Sequence, residues 1–206
     1  MCIRDRKYIY YAAGESAAKL DVMPQNERLK EQGYEILYLT DDIDEFTLKA
    51  MREYDGKEFK STSDDDLGID NESEKEEIKK QNEDNKDLLA CVKDALGDRV
   101  SAVVLTSRLK SYPVCLTAKG QISLEMEKVL NSMPAPEEGK IKAERVLEIN
   151  AAHPVFAALQ KLYPGDEEKV RSYAEILYTQ ALLIEGIPVE DTIAYTNAVC
   201  ALMTGE

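Results

Sequence analysis

Between Asp64 and Asp87 the chain carries eleven acidic and four basic residues, and its only large apolar side chains are Leu67, Ile69 and Ile78. A stretch this poor in apolar side chains cannot bury enough surface to offset its own ordering. The run therefore marks a boundary, and the 206-residue chain divides on either side of it. Its first part, "STSDDDLGIDNES", reads as a solvated linker. Its second part holds enough Glu and Lys to start a helix that continues into "DLLACVKDALGD".

Before the boundary, "KYIYYAAG" is rich in Tyr and Ile and stops at a glycine, which predicts a buried strand. "PQNERLKEQG" opens with Pro24 and closes with Gly33, the expected punctuation of a helix. "YEILYLT" predicts a second strand, and "DDIDEFTLKAMREYDG" a helix that Asp side chains can cap and Gly56 ends. Alternation of strand and helix points to a small α/β layer with parallel pairing.

After the boundary, "RVSAVVLTS" and "YPVCLT" read as strands joined by a hairpin-like turn at "RLKSY", and "ERVLEIN" as a third strand. Helical patterns over 154–163, 166–185 and 190–203 close the chain. The short connection "EGIPVED" makes the last two an antiparallel hairpin. Its two apolar faces are one hairpin short of a bundle, and a second copy would complete four helices about a twofold axis.

Composition narrows the function classes. A net charge of −14 leaves no basic surplus for nucleic acid, and no run approaches the ~18 apolar residues of a membrane helix. "MCIRDRKYIYYAAGES" lacks the apolar core of a secretory signal, and the four scattered cysteines suit unpaired thiols in a reducing compartment. A cytoplasmic setting is expected. His153, the sole histidine, has neither a nearby cysteine nor a second histidine, so a metal site is not expected and a capping role is. Cys91 and Cys115, in apolar contexts, read as buried small hydrophobes. "AAGES" is not followed by Lys-Ser or Lys-Thr and makes no phosphate loop.

The stretch "QISLEMEKVLNSM" places Ile122, Met126, Val129, Leu130 and Met133 on one helical stripe. Spacing alone leaves open whether that stripe is core or a surface kept apolar to hold something.

Six motifs in fixed order bear on the answer: "IYYAAGES", "EILYLTDDIDEF", "YDGKEFKS", "LGDRVSAVVLTSRLKSYPVCLT", "VLEINAAHPVFAAL" and "LLIEGIPVED". Together they resemble the C-terminal third of the heat shock protein 90 chaperones, bacterial HtpG type. The resemblance runs from about Lys7 to the last residue and leaves "MCIRDR" as foreign to the family. It implies an α+β fold, with residues 7–61 ending a middle domain, 62–80 an acidic linker and helix start, and 81–206 a C-terminal dimerisation domain. "NAAHP" departs from the family's usual turn, a change expected to be harmless. "CALMTGE" lacks the acidic tail that binds tetratricopeptide co-chaperones.

The family consists of ATP-driven dimeric clamps that bind unfolded or partly folded client proteins. Its ATP and Mg²⁺ belong to more N-terminal parts, so the resemblance implies no cofactor and no catalytic residue in this chain. It also assigns the 121–133 helix to a cleft between the dimer arms. The client-binding positions it implies are Glu45, Phe46, Ile122, Met126, Val129 and Leu130. The dimer contacts it implies are Tyr173, Leu177, Ala181, Leu182, Ile193, Thr196, Val199 and Cys200. The competing reading is a free-standing thiol or carboxylate enzyme on the α/β layer, which would need a nucleophile and a base in contact.

Overall fold

The structure is a computed structural model that describes residues 6–64, 66–133 and 141–204. The proposed foreign segment at residues 1–6 falls almost wholly outside these. The chain forms two compact units, one of residues 1–70 with 117–144 and the other of 71–116 with 145–206. Strands and helices are both well represented, in the mixed α/β arrangement expected.

The first unit is built on a four-stranded sheet of order β2-β1-β4-β3, from β1 (Tyr8–Ala13), β2 (Ile36–Leu39), β3 (Glu53–Tyr54) and β4 (Lys57–Ser61). The central strand β1 runs parallel to both β2 and β4, with Tyr10 opposite Ile36 and Lys60. Helix α1 (Ala17–Asp21) is capped by Ser16, and α2 (Glu27–Glu31) follows a 3₁₀ turn at Pro24. Leu29 of α2 is fully buried against Tyr10, and Tyr10 meets Tyr34 edge to face at 5.2 Å.

Helix α3 (Asp44–Met51) stops five residues before Gly56, where the sequence placed its end. Arg52, Asp55 and Gly56 all take positive φ, and Asp55-Gly56 forms the turn of the β3–β4 hairpin. A local turn thus overrides a plausible helical pattern.

The acidic stretch also differs from the solvated linker expected of it. Leu67 is 3% exposed and joins Tyr10 and Leu29 in one core, and its carbonyl accepts the Tyr10 hydroxyl at 2.7 Å. Asp70 pairs with Arg28 of α2. One buried leucine anchors a run that composition alone would leave in water. Next to it, Gly68 has φ +67, and a Cβ there would lie 2.8 Å from the Tyr8 ring.

Residues 117–144, which lie within the expected C-terminal stretch 81–206, group with the first unit. Ala118 bridges in parallel with Asp64, and its N–H donates to Ser63 O at 3.2 Å.

The second unit opens with α4 (Glu72–Asp84), whose capping box is complete: the Asn71 side chain accepts from Glu74 N, and Glu74 accepts from Asn71 N. The helix breaks at Asn85 before α5 (Lys86–Leu96), so the expected continuous helix is two. Strands β5 (Ala102–Thr106), β6 (Val114–Lys119) and β7 (Glu144–Asn150) form a sheet of order β5-β7-β6, with β7 parallel to β5. The hairpin expected between β5 and β6 is therefore absent. β7 takes the centre and is buried from Val146 onward, including the polar Glu148 and Asn150. Asn82 meets β5 as a strand would, donating to Leu105 O at 3.2 Å and accepting from Leu105 N at 2.9 Å.

Helices α7 (Pro154–Leu162), α8 (Glu167–Glu185) and α9 (Thr192–Thr204) complete this unit. Val170, Ala174, Leu177 and Ala181 give α8 a buried stripe, and left-handed Gly186 ends the helix with Ile187 N donating to Leu182 O. His153 caps α7 through Nδ1, which accepts from Val155 N, and Cys91 and Cys115 are buried, all as expected. The Arg108 guanidinium and Glu148 carboxylate pair at 3.1 Å, both at least 94% buried.

Two outcomes follow. Gly68→Ala should cost about 1–3 kcal/mol, because it places a side chain at positive φ and against Tyr8; a urea midpoint equal to wild type would contradict this packing. Arg108→Met should cost about 3–5 kcal/mol by taking the guanidinium away from the buried Glu148 carboxylate, and adding Glu148→Leu should recover much of that loss. A double variant no more stable than the single one would place the cost elsewhere.

Candidate functional site

The 121–133 stripe folds as α6 (Leu124–Ser132), within the first unit. Ser123 is its N-cap, and the hydroxyl accepts from Met126 N at 3.0 Å. The same hydroxyl donates to Glu45 Oε2 at 2.6 Å, while the Tyr11 hydroxyl donates to Glu45 Oε1 at 3.3 Å. Lys49, one turn along α3, donates to Gln121 O at 3.2 Å. At the far end Asn131 exchanges two hydrogen bonds with Ile141, and Glu127 accepts from Ala143 N. Caps and crosslinks therefore hold α6 at both ends.

Glu45 is only 3% exposed, so its carboxyl is the base of the site rather than an outward contact. Burial pushes its pKa above the ordinary carboxylate range, and Asp64 adds to the rise. The bonds from Ser123 and Tyr11 and the charge of Lys49 pull the other way.

A groove opens above this network. Ala13 at the end of β1 with Gly14 and Glu15 after it, Leu39 at the end of β2 with Thr40, Asp41 and Asp42 after it, Glu45 and Phe46 of α3, and Glu125, Met126 and Val129 of α6 line it. Of the six positions assigned to clients, Glu45, Phe46, Met126 and Val129 meet here, and Ile122 and Leu130 do not line it. Met126 and Val129 are buried, whereas Phe46, Ile122 and Leu130 are half-buried. The sequence alone does not place Ala13, Leu39, Asp41 or Asp42 in a groove: the first two read as strand ends, and the two aspartates as charges at a helix N-terminus. No lining residue is basic.

The eight positions assigned to a dimer divide by helix. Leu177, Ala181 and Leu182 of α8 are buried inside the chain, and Tyr173 is half-buried. On α9 Ile193, Thr196 and Cys200 are exposed and Val199 half-buried. Leu183 of α8 and Leu202 and Met203 of α9 are also exposed and were not singled out from sequence. Among the described residues of α9, none is buried.

The Hsp90 protein family matches residues 2–206 of the chain. The chain belongs to that family. Among curated proteins it is 50% identical over 199 residues to the chaperone protein HtpG of Clostridium perfringens and 50% identical to that of Clostridium acetobutylicum. The HtpG protein of Oceanobacillus iheyensis is 49% identical. Each match covers 97% of this chain and 31% of the relative, so the chain spans about a third of the length of the proteins it resembles. Among the described residues no helix is long and apolar enough to cross a membrane, and no three His, Cys, Asp or Glu side chains are grouped to hold a metal ion.

The raised pKa of Glu45 has a definite sign. The folded chain holds this proton more tightly than the unfolded chain, so the contribution of Glu45 is full below the ordinary carboxylate range and is lost as pH rises through the raised value. The stability advantage of wild type over Glu45→Gln should therefore shrink as pH rises above the ordinary carboxylate range in urea titrations. A difference that stays constant or grows over that rise contradicts the assignment.

Proposed function

We propose that this chain is the client-binding and dimer-forming part of an ATP-dependent chaperone, working in the cytoplasm as a homodimer. One observation carries the client-binding half: residues from three separate stretches of sequence, 13–15, 39–46 and 125–129, converge on one apolar-floored groove. Methionine suits such a floor, since its flexible thioether chain repacks against differently shaped side chains. An unfolded or partly folded protein offers the exposed apolar groups this groove would take up.

The dimer half rests on α9. A helix of sequence "TIAYTNAVCALMT" that buries none of its residues leaves Ile193 at 73% and Met203 at 81% exposed. Water contact with such a surface is unfavourable, and a second copy of the α8–α9 hairpin would cover it as a four-helix arrangement. ATP and Mg²⁺ belong, in this reading, to a more N-terminal part of the full protein. Gly14 lies in the groove without the Lys-Ser or Lys-Thr of a phosphate cradle, and we route no nucleotide step through this chain.

The enzyme reading is disfavoured by the state of its candidate groups. Burial pushes the Cys91 thiol up and the Cys115 thiol well up, which suppresses the nucleophilic thiolate. The acceptor nitrogen of His153 is engaged by Val155 N.

Light scattering behind size exclusion should give a dimer at about micromolar concentration, and Ile193→Asp with Met203→Asp should give a folded monomer. A wild-type monomer, or a variant that stays dimeric, would overturn the α9 assignment. Phe46→Ser should weaken capture of reduced, alkylated lysozyme about five- to tenfold while the dimer persists. Unchanged capture would move client binding out of the groove.

A further inference from the structure

We infer that the groove selects client segments in which a large apolar side chain is flanked by Lys or Arg. The inference rests on the client-binding reading of the groove and adds the charge of its occupant. The floor is apolar, with Ala13, Phe46, Met126 and Val129, and the groove lining also includes Glu15, Asp41, Asp42 and Glu125. Five of the twelve lining residues are carboxylates once Glu45 is counted, and none is cationic. Two of the groove carboxylates already have partners: Glu15 pairs with Lys19 at 3.0 Å, and Glu125 pairs with Lys128. Asp41 and Asp42 are exposed, and among the described residues no ion pair engages either of them.

The two free carboxylates stand just before the first turn of α3. A concave site of one sign focuses its field on whatever enters. An apolar side chain on the floor would bring its sequence neighbours past Asp41 and Asp42, which line the same groove. A flanking ammonium or guanidinium is attracted there and a flanking carboxylate repelled. The described residues include no metal-holding group that would neutralise the rim instead. At surface dielectric and low salt, two such carboxylates favour a Lys-flanked segment over a Glu-flanked one by about tenfold.

Three fluorescein-labelled peptides with one shared apolar centre, flanked by Lys, by Ser or by Glu, test this on the intact chain by anisotropy. The Lys-flanked peptide should bind about tenfold tighter than the Glu-flanked one near 50 mM salt, and the ratio should approach one near 500 mM. Asp41→Asn with Asp42→Asn should cut that ratio at least about threefold, with circular dichroism showing the variant folded. Equal affinities for the Lys and Glu peptides, both weakened by Phe46→Ser, would overturn the charge selection and leave the groove standing. Affinities that Phe46→Ser does not move would overturn both the selection and the groove.

Discussion

The hydrogen bond from Ser123 to Glu45 is the constraint on which the site depends. It joins two residues 78 positions apart, and it does so at the cap of α6, where a shift would reorient the whole helix. One hydroxyl serves both roles, accepting from Met126 N and donating to the carboxylate. The Tyr11 hydroxyl ties the other carboxylate oxygen to β1. A buried carboxylate is unfavourable unless it is fully bonded, so this network tolerates few alternatives and sets α6 in one register against α3. The faces of the two helices that remain beside it are Phe46, Met126 and Val129, which is why an apolar floor forms next to a carboxyl group.

In the second unit the division between covered and uncovered surface follows the helices. α8 turns Val170, Ala174, Leu177 and Ala181 inward and bonds Arg99 through Glu175, with Arg99 lying over the Tyr178 ring. α9 packs along α8 and leaves its other faces in water. Core burial therefore stabilises α8 within one chain, while α9 has few internal contacts to hold it. Association would stabilise the last helix, and folding of α9 and dimer formation would then be coupled.

Much of this architecture was legible in the sequence because it is encoded locally. The strand runs "KYIYYAAG", "YEILYLT" and "ERVLEIN", the capping His153, and the final helices all formed where pattern and punctuation placed them. What escaped was non-local. Nothing near Glu45 indicates Ser123, so the glutamate read as a helix-terminal charge or an outward contact instead of a buried link. The order β5-β7-β6 places a later strand between two that follow each other in sequence, which adjacency rules favour less. Leu67 lay in a run dominated by charge, and a single buried leucine leaves little trace in composition. The α6 stripe was legible as a stripe, but period alone cannot tell that Met126 and Val129 sink into a groove while Ile122 and Leu130 stay half-exposed.

The central claim is that the groove made by α3, α6 and the strand ends of the first unit holds unfolded protein. Methyl NMR on chain labelled at Met and Val, titrated with reduced, alkylated lysozyme, addresses it directly. The account predicts that the Met126 and Val129 methyl signals shift or broaden first, while that of Val170, buried in the other unit, stays unchanged. Perturbation of Met203 with Met126 and Val129 unmoved would contradict it and place client capture on the terminal helix.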